Sequence, residues 1–300
     1  MASITKVALV GAKGNLGEAV LDRLLSTGFE VTVLSRPEST QVFPAAVSVK
    51  KVDYDSLDSL TDALRGQDAV VSTIASAALG KQLLLIDAAA KAGVKRFIPS
   101  EFGADTTHEK TSPLPGFKTK LDVQEALKKA AAEDRLTYTI ILNGPFLDWG
   151  IRVGFLANVK ERTIDLADGG NRKASASTLA TVAKAVEGVL KNPEQTKNRA
   201  VYVQDTAISQ KELEERLKKA TGTTEWTETV SSVEEGVKQG WEEAKKAQPD
   251  PWVLFGTTVK AAIWGDGYGG HFQKLDNDLF GIKELTEAEL QAVIEKSLPN

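Results

Sequence analysis

An apolar run, KVALV at Lys6 to Val10, passes without a spacer into the turn GAKGNLG, and this junction restricts the fold more than any other feature of the chain. A short run with no polar alternation belongs in a sheet covered on both faces. From Leu16 to Thr27 apolar residues recur at helical spacing, and Gly28 stands where a helix is commonly closed. Phe29 to Leu34 (FEVTVL) then reads as a second strand. Strand, glycine turn, helix and strand form a βαβ unit whose crossover is right-handed. Gly11, Gly14 and Gly17 divide three tasks: a tight turn, close backbone approach to a pyrophosphate, and close packing of helix on strand. The phosphates lie at the helix N-terminus. No Gly-Lys-Ser/Thr ends the loop, so it is not a nucleoside-triphosphate P-loop.

The alternation continues. Strands are expected at 47–52, 69–74, 95–99 and 138–142, with helices at 56–64, 81–92 and about 119–133, and a loop at 104–116 rich in Asp, Thr, Ser, Pro and Gly. About six strands with intervening helices predict an α/β Rossmann-type doubly wound parallel sheet. Past Phe146 the rhythm loosens: a helix at 178–190, a strand at 200–204, and two helices opened by capping boxes, Ser209 with Glu212 and Thr286 with Glu289. The expected organisation is a dinucleotide-binding domain over 1–146 and a smaller, partly helical substrate region over 147–300, with segments returning to the sheet.

Several function classes are excluded or disfavoured. The chain has no cysteine and two histidines, so thiolate sites, disulfides and a zinc centre are not expected, and no metal is assigned. A net charge of −4 gives no general nucleic-acid footprint. No stretch approaches the roughly 20 apolar residues of a membrane span, and the first apolar run opens onto glycines instead of a cleavage site. A cytoplasmic location is expected.

The end of the second strand bears on the cofactor. An NAD site places Asp or Glu there for the ribose 2′-hydroxyl, whereas this chain has Ser35-Arg36-Pro37. Arg36 suits a 2′-phosphate, and Lys13 inside the glycine loop adds a second cation, so NADP(H) is the expected dinucleotide. With Gly11, Ala12, Lys13, Gly14, Asn15, Leu16 and Gly17 forming the loop, the remaining candidates sit at strand ends. They are Asp53, which serves equally well as a turn cap, then Thr73, Ile74 and Ala75 along the cofactor's middle, and Pro99, Ser100, Asn143, Gly144, Pro145 and Phe146 toward the nicotinamide. A short-chain reductase of the common type pairs a Tyr with a Lys four residues on. Here Tyr54, Tyr138, Tyr202 and Tyr268 are followed at that distance by Asp58, Leu142, Thr206 and Phe272, so the proton carrier must be another group.

In GAKGNLG, in AAAKAGVKRFIPSEFG at 88–103, in the Lys-x-x-Val helix entry and in YTIILNGPF at 138–146, the chain resembles the NmrA-like and isoflavone reductase-like group of atypical short-chain reductases. The resemblance covers at least the first 150 residues. It implies a monomeric or homodimeric NADPH-dependent reductase of small aromatic metabolites in which one lysine replaces the Tyr-Lys pair. That lysine matches Lys120, three residues before Val123, with Lys118 as the rival if the register slips by two. Beside a cationic nicotinamide a lysine gives up its proton more readily, which suits general acid/base work. The substrate wall is expected to include Glu101, Phe102, Trp149, Phe155, Trp264, Tyr268 and His271, although Glu101 and Phe102 also read as residues that shape their loop and His271 as an ordinary surface histidine. His108 is a weaker candidate. The loop departs from the usual GATGxxG by Lys13, and LDVQEALKK replaces the arginine pair of phenylpropanoid reductases, so the acceptor extends to enones and quinones. The alternative within the group is a dinucleotide-binding redox sensor without catalysis, acting through a protein partner.

Overall fold

A computed structural model describes residues 3–299. The first half holds strands β1 (Lys6–Val10), β2 (Glu30–Ser35), β3 (Ser48–Lys51), β4 (Ala69–Ser72), β5 (Arg96–Ile98) and β6 (Thr137–Leu142). Between them run helices α1 (Asn15–Ser26), α2 (Leu57–Leu64), α3 (Lys81–Ala92) and α4 (Lys118–Ala132). Beyond β6 come α5 (Leu147–Arg152), β7 (Thr163–Ala167), β8 (Lys173–Ala176), α6 (Leu179–Lys191), β9 (Arg199–Tyr202), β10 (Thr206–Ser209), α7 (Gln210–Thr221), β11 (Thr227–Ser231), α8 (Val233–Ala244), α9 (Pro251–Trp264) and α10 (Glu287–Lys296).

Seven strands form the main sheet in the order β3-β2-β1-β4-β5-β6-β9. The chain winds outward from β1 in one direction, then returns past it to β4. Val10 pairs with Leu34 on one side and Ser72 on the other, all in parallel register. This reversal is the topological switch point, where open α/β sheets bind ligands outside the carboxyl ends of their strands. The seventh strand comes from beyond residue 146. It is parallel too: Asn198 N–H donates to Tyr138 O (2.8 Å) and Val203 N–H to Leu142 O (3.0 Å), so both strands advance together. Arg96 ties this edge down. Fully buried, its guanidinium donates to the hydroxyls of Thr137 (2.9 Å), Thr139 (2.7 Å) and Thr196 (2.9 Å) and to Pro193 O (2.5 Å). Burial holds its pKa down at about 10.

The helices start and stop for local reasons. Ser56, Ser209, Ser232, Asp250 and Thr286 cap α2, α7, α8, α9 and α10 with their side chains, and both expected capping boxes form. Gly93 ends α3 in the left-handed conformation. The expected elements of the first half form with ends shifted by one or two residues; Thr73 and Ile74 fall outside β4, and Pro99 outside β5.

The chain divides into two compact units. The first comprises the stretch through Phe102 with Thr119–Ile141 and Val182–Val201, and the second Gly103–Lys118, Leu142–Thr181 and Tyr202–Asn300. The chain passes between the units several times: α4, most of α6 and most of β9 pack with the main sheet, while the loop after Phe102 packs with the later chain. The second unit also contains four strands that the helical reading passed over. β8 pairs antiparallel with β10, and β7 parallel with β11. Runs of four or five half-polar residues carry too little periodicity to announce a strand. A core of Leu147, Ile151, Leu166, Ile208, Leu213, Ala262 and Trp264, among others, holds this unit together. No helix among the described residues is long and apolar enough to cross a membrane.

Candidate functional site

In the first unit, the turn between β1 and α1 requires glycine at two of its three glycine positions and not at the third. Gly11 has φ +81°, and a Cβ there would lie 2.6 Å from Thr73 O. At Gly17 a Cβ would lie 2.0 Å from Gly11 O, so the helix seats on the turn only without a side chain. Gly14 is different: its φ of −77° suits any residue, and a Cβ would come no closer than 3.3 Å to its neighbours. It opens α1 without any side-chain cap, flanked by exposed Lys13 and Asn15 over buried Ala12 and Leu16. A helix of twelve residues whose N-cap is an exposed glycine without a side-chain cap could receive a phosphate group at its first N–H groups. Thr73, just past β4, braces the turn, its N–H (2.9 Å) and hydroxyl (2.8 Å) both donating to Val10 O.

At the end of β2, Ser35 is buried and Arg36 projects outward with 71% of its side chain exposed. Its guanidinium lies 3.3 Å from Glu38. Lys51 fastens the following loop by donating to Arg36 O (3.3 Å) and to Ser39 O. On the adjacent turn, Lys13 is 3.5 Å from Glu18 and stands 5.3 Å over the Phe43 ring. Neither cation is locked in a buried pair, so both are available to an incoming anion. Asp53 accepts the Asp55 N–H at 2.9 Å, a turn-capping bond, and is exposed. Tyr54 donates to Leu34 O (3.0 Å); burial raises its phenol above the ordinary range, against the opposing pull of the Arg36 charge.

Toward the sheet's middle, Ser100 joins two strand ends. Its hydroxyl donates to Ile74 O (2.8 Å) and its N–H to the side chain of buried Gln82 (2.8 Å). Ala75 precedes a short 3₁₀ turn at Ser76–Ala78. Pro99 O accepts the Glu101 N–H (2.8 Å), and Phe102 holds the uncommon φ of +32°. This tight turn leaves Glu101 3% exposed. Its carboxylate receives Gln124 Nε2 at 3.0 Å and lies 3.6 Å from Lys120 Nζ, which also donates to Glu101 O. Of the two candidate lysines, Lys120 is therefore the one joined to the strand-end loop, whereas Lys118 is exposed at the first position of α4. Gln82 and the pairing of Glu101 with Lys120 escaped the sequence reading. The available signal was polar side chains on helix positions that otherwise face the core.

The second unit holds the rest of the candidates. Asn143 is buried, donating to Gly144 O (2.8 Å), and its Oδ1 has no partner among the described residues. Gly144 has φ +65° and passes so close to Ser175 O that a Cβ would meet it at 1.7 Å. Pro145 O accepts the Ser177 N–H (3.1 Å). From Phe146 a row of rings follows: Trp149 at 6.2 Å between centroids, then Phe155 at 6.4 Å, then Phe255 at 5.9 Å, the last two 38% exposed. Trp264, expected in the substrate wall, is buried in the core of this unit. Tyr268 packs against that core with Lys110 5.4 Å from its ring centroid. His271 is exposed, and the His108 ring lies against Gly269.

With this geometry in view, the comparisons decide the family. The sequence model of the NmrA-like family matches residues 3–239. The chain belongs to the NmrA-like family. Among relatives of this member, the oxidoreductase aprR of Aspergillus flavus is 36% identical over 298 residues, 98% of each chain. A bifunctional pinoresinol-lariciresinol reductase 2 of Linum usitatissimum is 30% identical over 253 residues, covering 77% of this chain and 76% of the relative. Among solved structures, the pinoresinol-lariciresinol and phenylcoumaran benzylic ether reductases superpose with a TM-score of 0.78 at 22% identity, over 99% of this chain and 100% of theirs. AtPrR2, solved with NADP+ and (+)pinoresinol, superposes at 0.71 and 22% identity, over 99% and 100%. The NmrA-like member described here shares their fold.

Proposed function

We propose that this NmrA-like chain is an NADPH-dependent reductase of a small aromatic, enone or quinone-type metabolite, with Lys120 as the group that moves the proton. The oxidoreductase class follows from full-length relatives that are oxidoreductases, and the cofactor is the one named for the related reductase AtPrR2. The observation that carries the catalytic reading is Lys120 itself, joined at Nζ to the loop that ends β5, where a doubly wound sheet receives its ligand.

The residues divide the work of holding the dinucleotide. Gly11, Gly14, Gly17 and the first N–H groups of α1 suit the pyrophosphate. Arg36 and Lys13 suit a 2′-phosphate, and no acid at the end of β2 competes for a ribose hydroxyl. Thr73, Ile74, Ala75, Pro99 and Ser100 border its length. When bound, the reduced dinucleotide supplies hydride. The chain's own chemistry is the matching proton: the Nζ–H bond of Lys120 breaks and the proton passes to the acceptor atom that gains negative charge.

Lys120→Ala tests this reading. With aromatic enones and quinones as acceptors, turnover is expected to fall by about 10²–10⁴ while NADPH affinity is kept, the usual worth of a positioned proton donor. A fall of less than about tenfold removes the acid/base role. Absence of turnover with every acceptor, beside intact NADPH binding, would instead favour a dinucleotide-sensing regulator.

A further inference from the structure

We propose that Glu101 is a positioning residue for Lys120: its buried carboxylate, steadied by Gln124, keeps the lysine charged and in one place, so that Lys120 enters a reductive turnover as an acid. This rests on the reading of Lys120 as the proton carrier.

The arrangement has three parts. Lys120 and Gln124 are four apart on α4, so their side chains share one helix face and reach the same carboxylate. Gln124 takes Oε1 (3.0 Å) and Lys120 faces Oε2 (3.6 Å). Because Gln124 is neutral, it fixes the carboxylate's orientation without sharing its charge. The carboxylate side chain is 1% exposed and that of Lys120 17%, so solvent screens their attraction poorly. A carboxylate so buried is costly unless paired, which is a reason for the two donors to be retained together. Charged groups near Lys120 include Glu101 from the loop after β5 and, within two residues on α4, Lys118 and Asp122.

The bond from Lys120 to the Glu101 backbone carbonyl separates placement from charge. Glu101→Gln keeps the carbonyl and nearly the same shape, and removes only the negative charge. The step served is proton transfer alone. The Nζ–H bond breaks, the proton goes to the acceptor atom, and the neutral amine regains a proton from water through its exposed fraction.

The test is competitive acetylation of the full-length chain by acetic anhydride from neutral to alkaline pH, read at Lys120 by peptide mass spectrometry. Lys128, exposed on the same helix, is the internal reference. Only the neutral amine reacts, so the pH midpoint reports charge while the plateau rate reports access. Glu101→Gln is expected to move the Lys120 midpoint to lower pH, the direction in which removal of an opposite charge at this range acts. Glu101→Asp, which keeps the charge but withdraws it by one carbon, is expected to move it less. An unmoved midpoint in folded Glu101→Gln overturns the proposal. If that variant does not fold, the parent decides: a Lys120 midpoint no higher than that of Lys128 overturns the proposal. Acetylation needs no turnover, so the pairing is judged separately from catalysis; full turnover by Lys120→Ala would remove the catalytic reading, and this one with it.

Discussion

Replacing Gly14 and Gly17 by alanine, one at a time, separates a glycine kept for folding from one kept for a ligand. At Gly17 the added Cβ would sit 2.0 Å from Gly11 O, 2.8 Å from Gly11 C and 2.9 Å from Ala12 C. All three are backbone atoms, so α1 must shift by more than an ångström. Overpacking on this scale costs about 3 kcal/mol or more, which in a chain of this size lowers Tm by roughly 6 °C or more. At Gly14 the nearest approach is 3.3 Å, and the extended φ of −77° costs alanine nothing. Losing glycine at a helix N-cap costs about 1 kcal/mol, offset by a less flexible unfolded chain worth about 0.4–1 kcal/mol. Gly14→Ala should therefore melt within about 3 °C of the parent. Its methyl group, however, would occupy the exposed surface assigned to the pyrophosphate, and NADPH affinity should fall at least about tenfold, or 1.4 kcal/mol. Thermal melts and calorimetric titration with NADPH decide the matter. A folded Gly14→Ala that binds NADPH as tightly as the parent would refute the assignment of this surface to phosphate.

Two further outcomes follow from single side chains. Arg36→Ala should weaken NADPH binding while leaving NADH binding nearly unchanged, because Arg36 is exposed and its nearest partner, Glu38, lies 3.3 Å away in an equally exposed pair; equal effects on both nucleotides in calorimetry would remove it from the 2′-phosphate site. Asp68 accepts the N–H groups of Thr5 and Lys6 (both 3.0 Å) and Lys95 Nζ (2.7 Å). Burial opposes its ionisation, but these donors outweigh burial and hold the carboxyl at about 2. A carboxyl depressed in the folded state stabilises above its unfolded value and loses that contribution as pH falls through the folded one. Denaturant titrations should thus show the parent losing about 2 kcal/mol more than Asp68→Asn between roughly pH 4 and pH 2.

Much of the first unit was legible because its signals are local. β1, the glycine turn, α3 with its closing Gly93, and both capping boxes depend on residues within four positions of one another. Arg36 was legible for the same reason, since it follows β2 directly. The matching of Lys120 needed the family motif, because a lysine near a helix start carries no chemistry in its spacing.

The sequence by itself determined the winding of β1, α1 and β2, the phosphate-suited turn and the absence of an acid after β2, all properties of short contiguous stretches. Tertiary structure alone decided that Glu101, Lys120 and Gln124 meet, that Arg96 binds three threonine hydroxyls across β5, β6 and the segment before β9, and that residues 182–201 rejoin the first unit. These pairings span 19 to 100 positions. Over such separations local preferences say nothing about which groups meet; the outcome is set by the packing of whole elements and by the demand that every buried charge and donor find a partner.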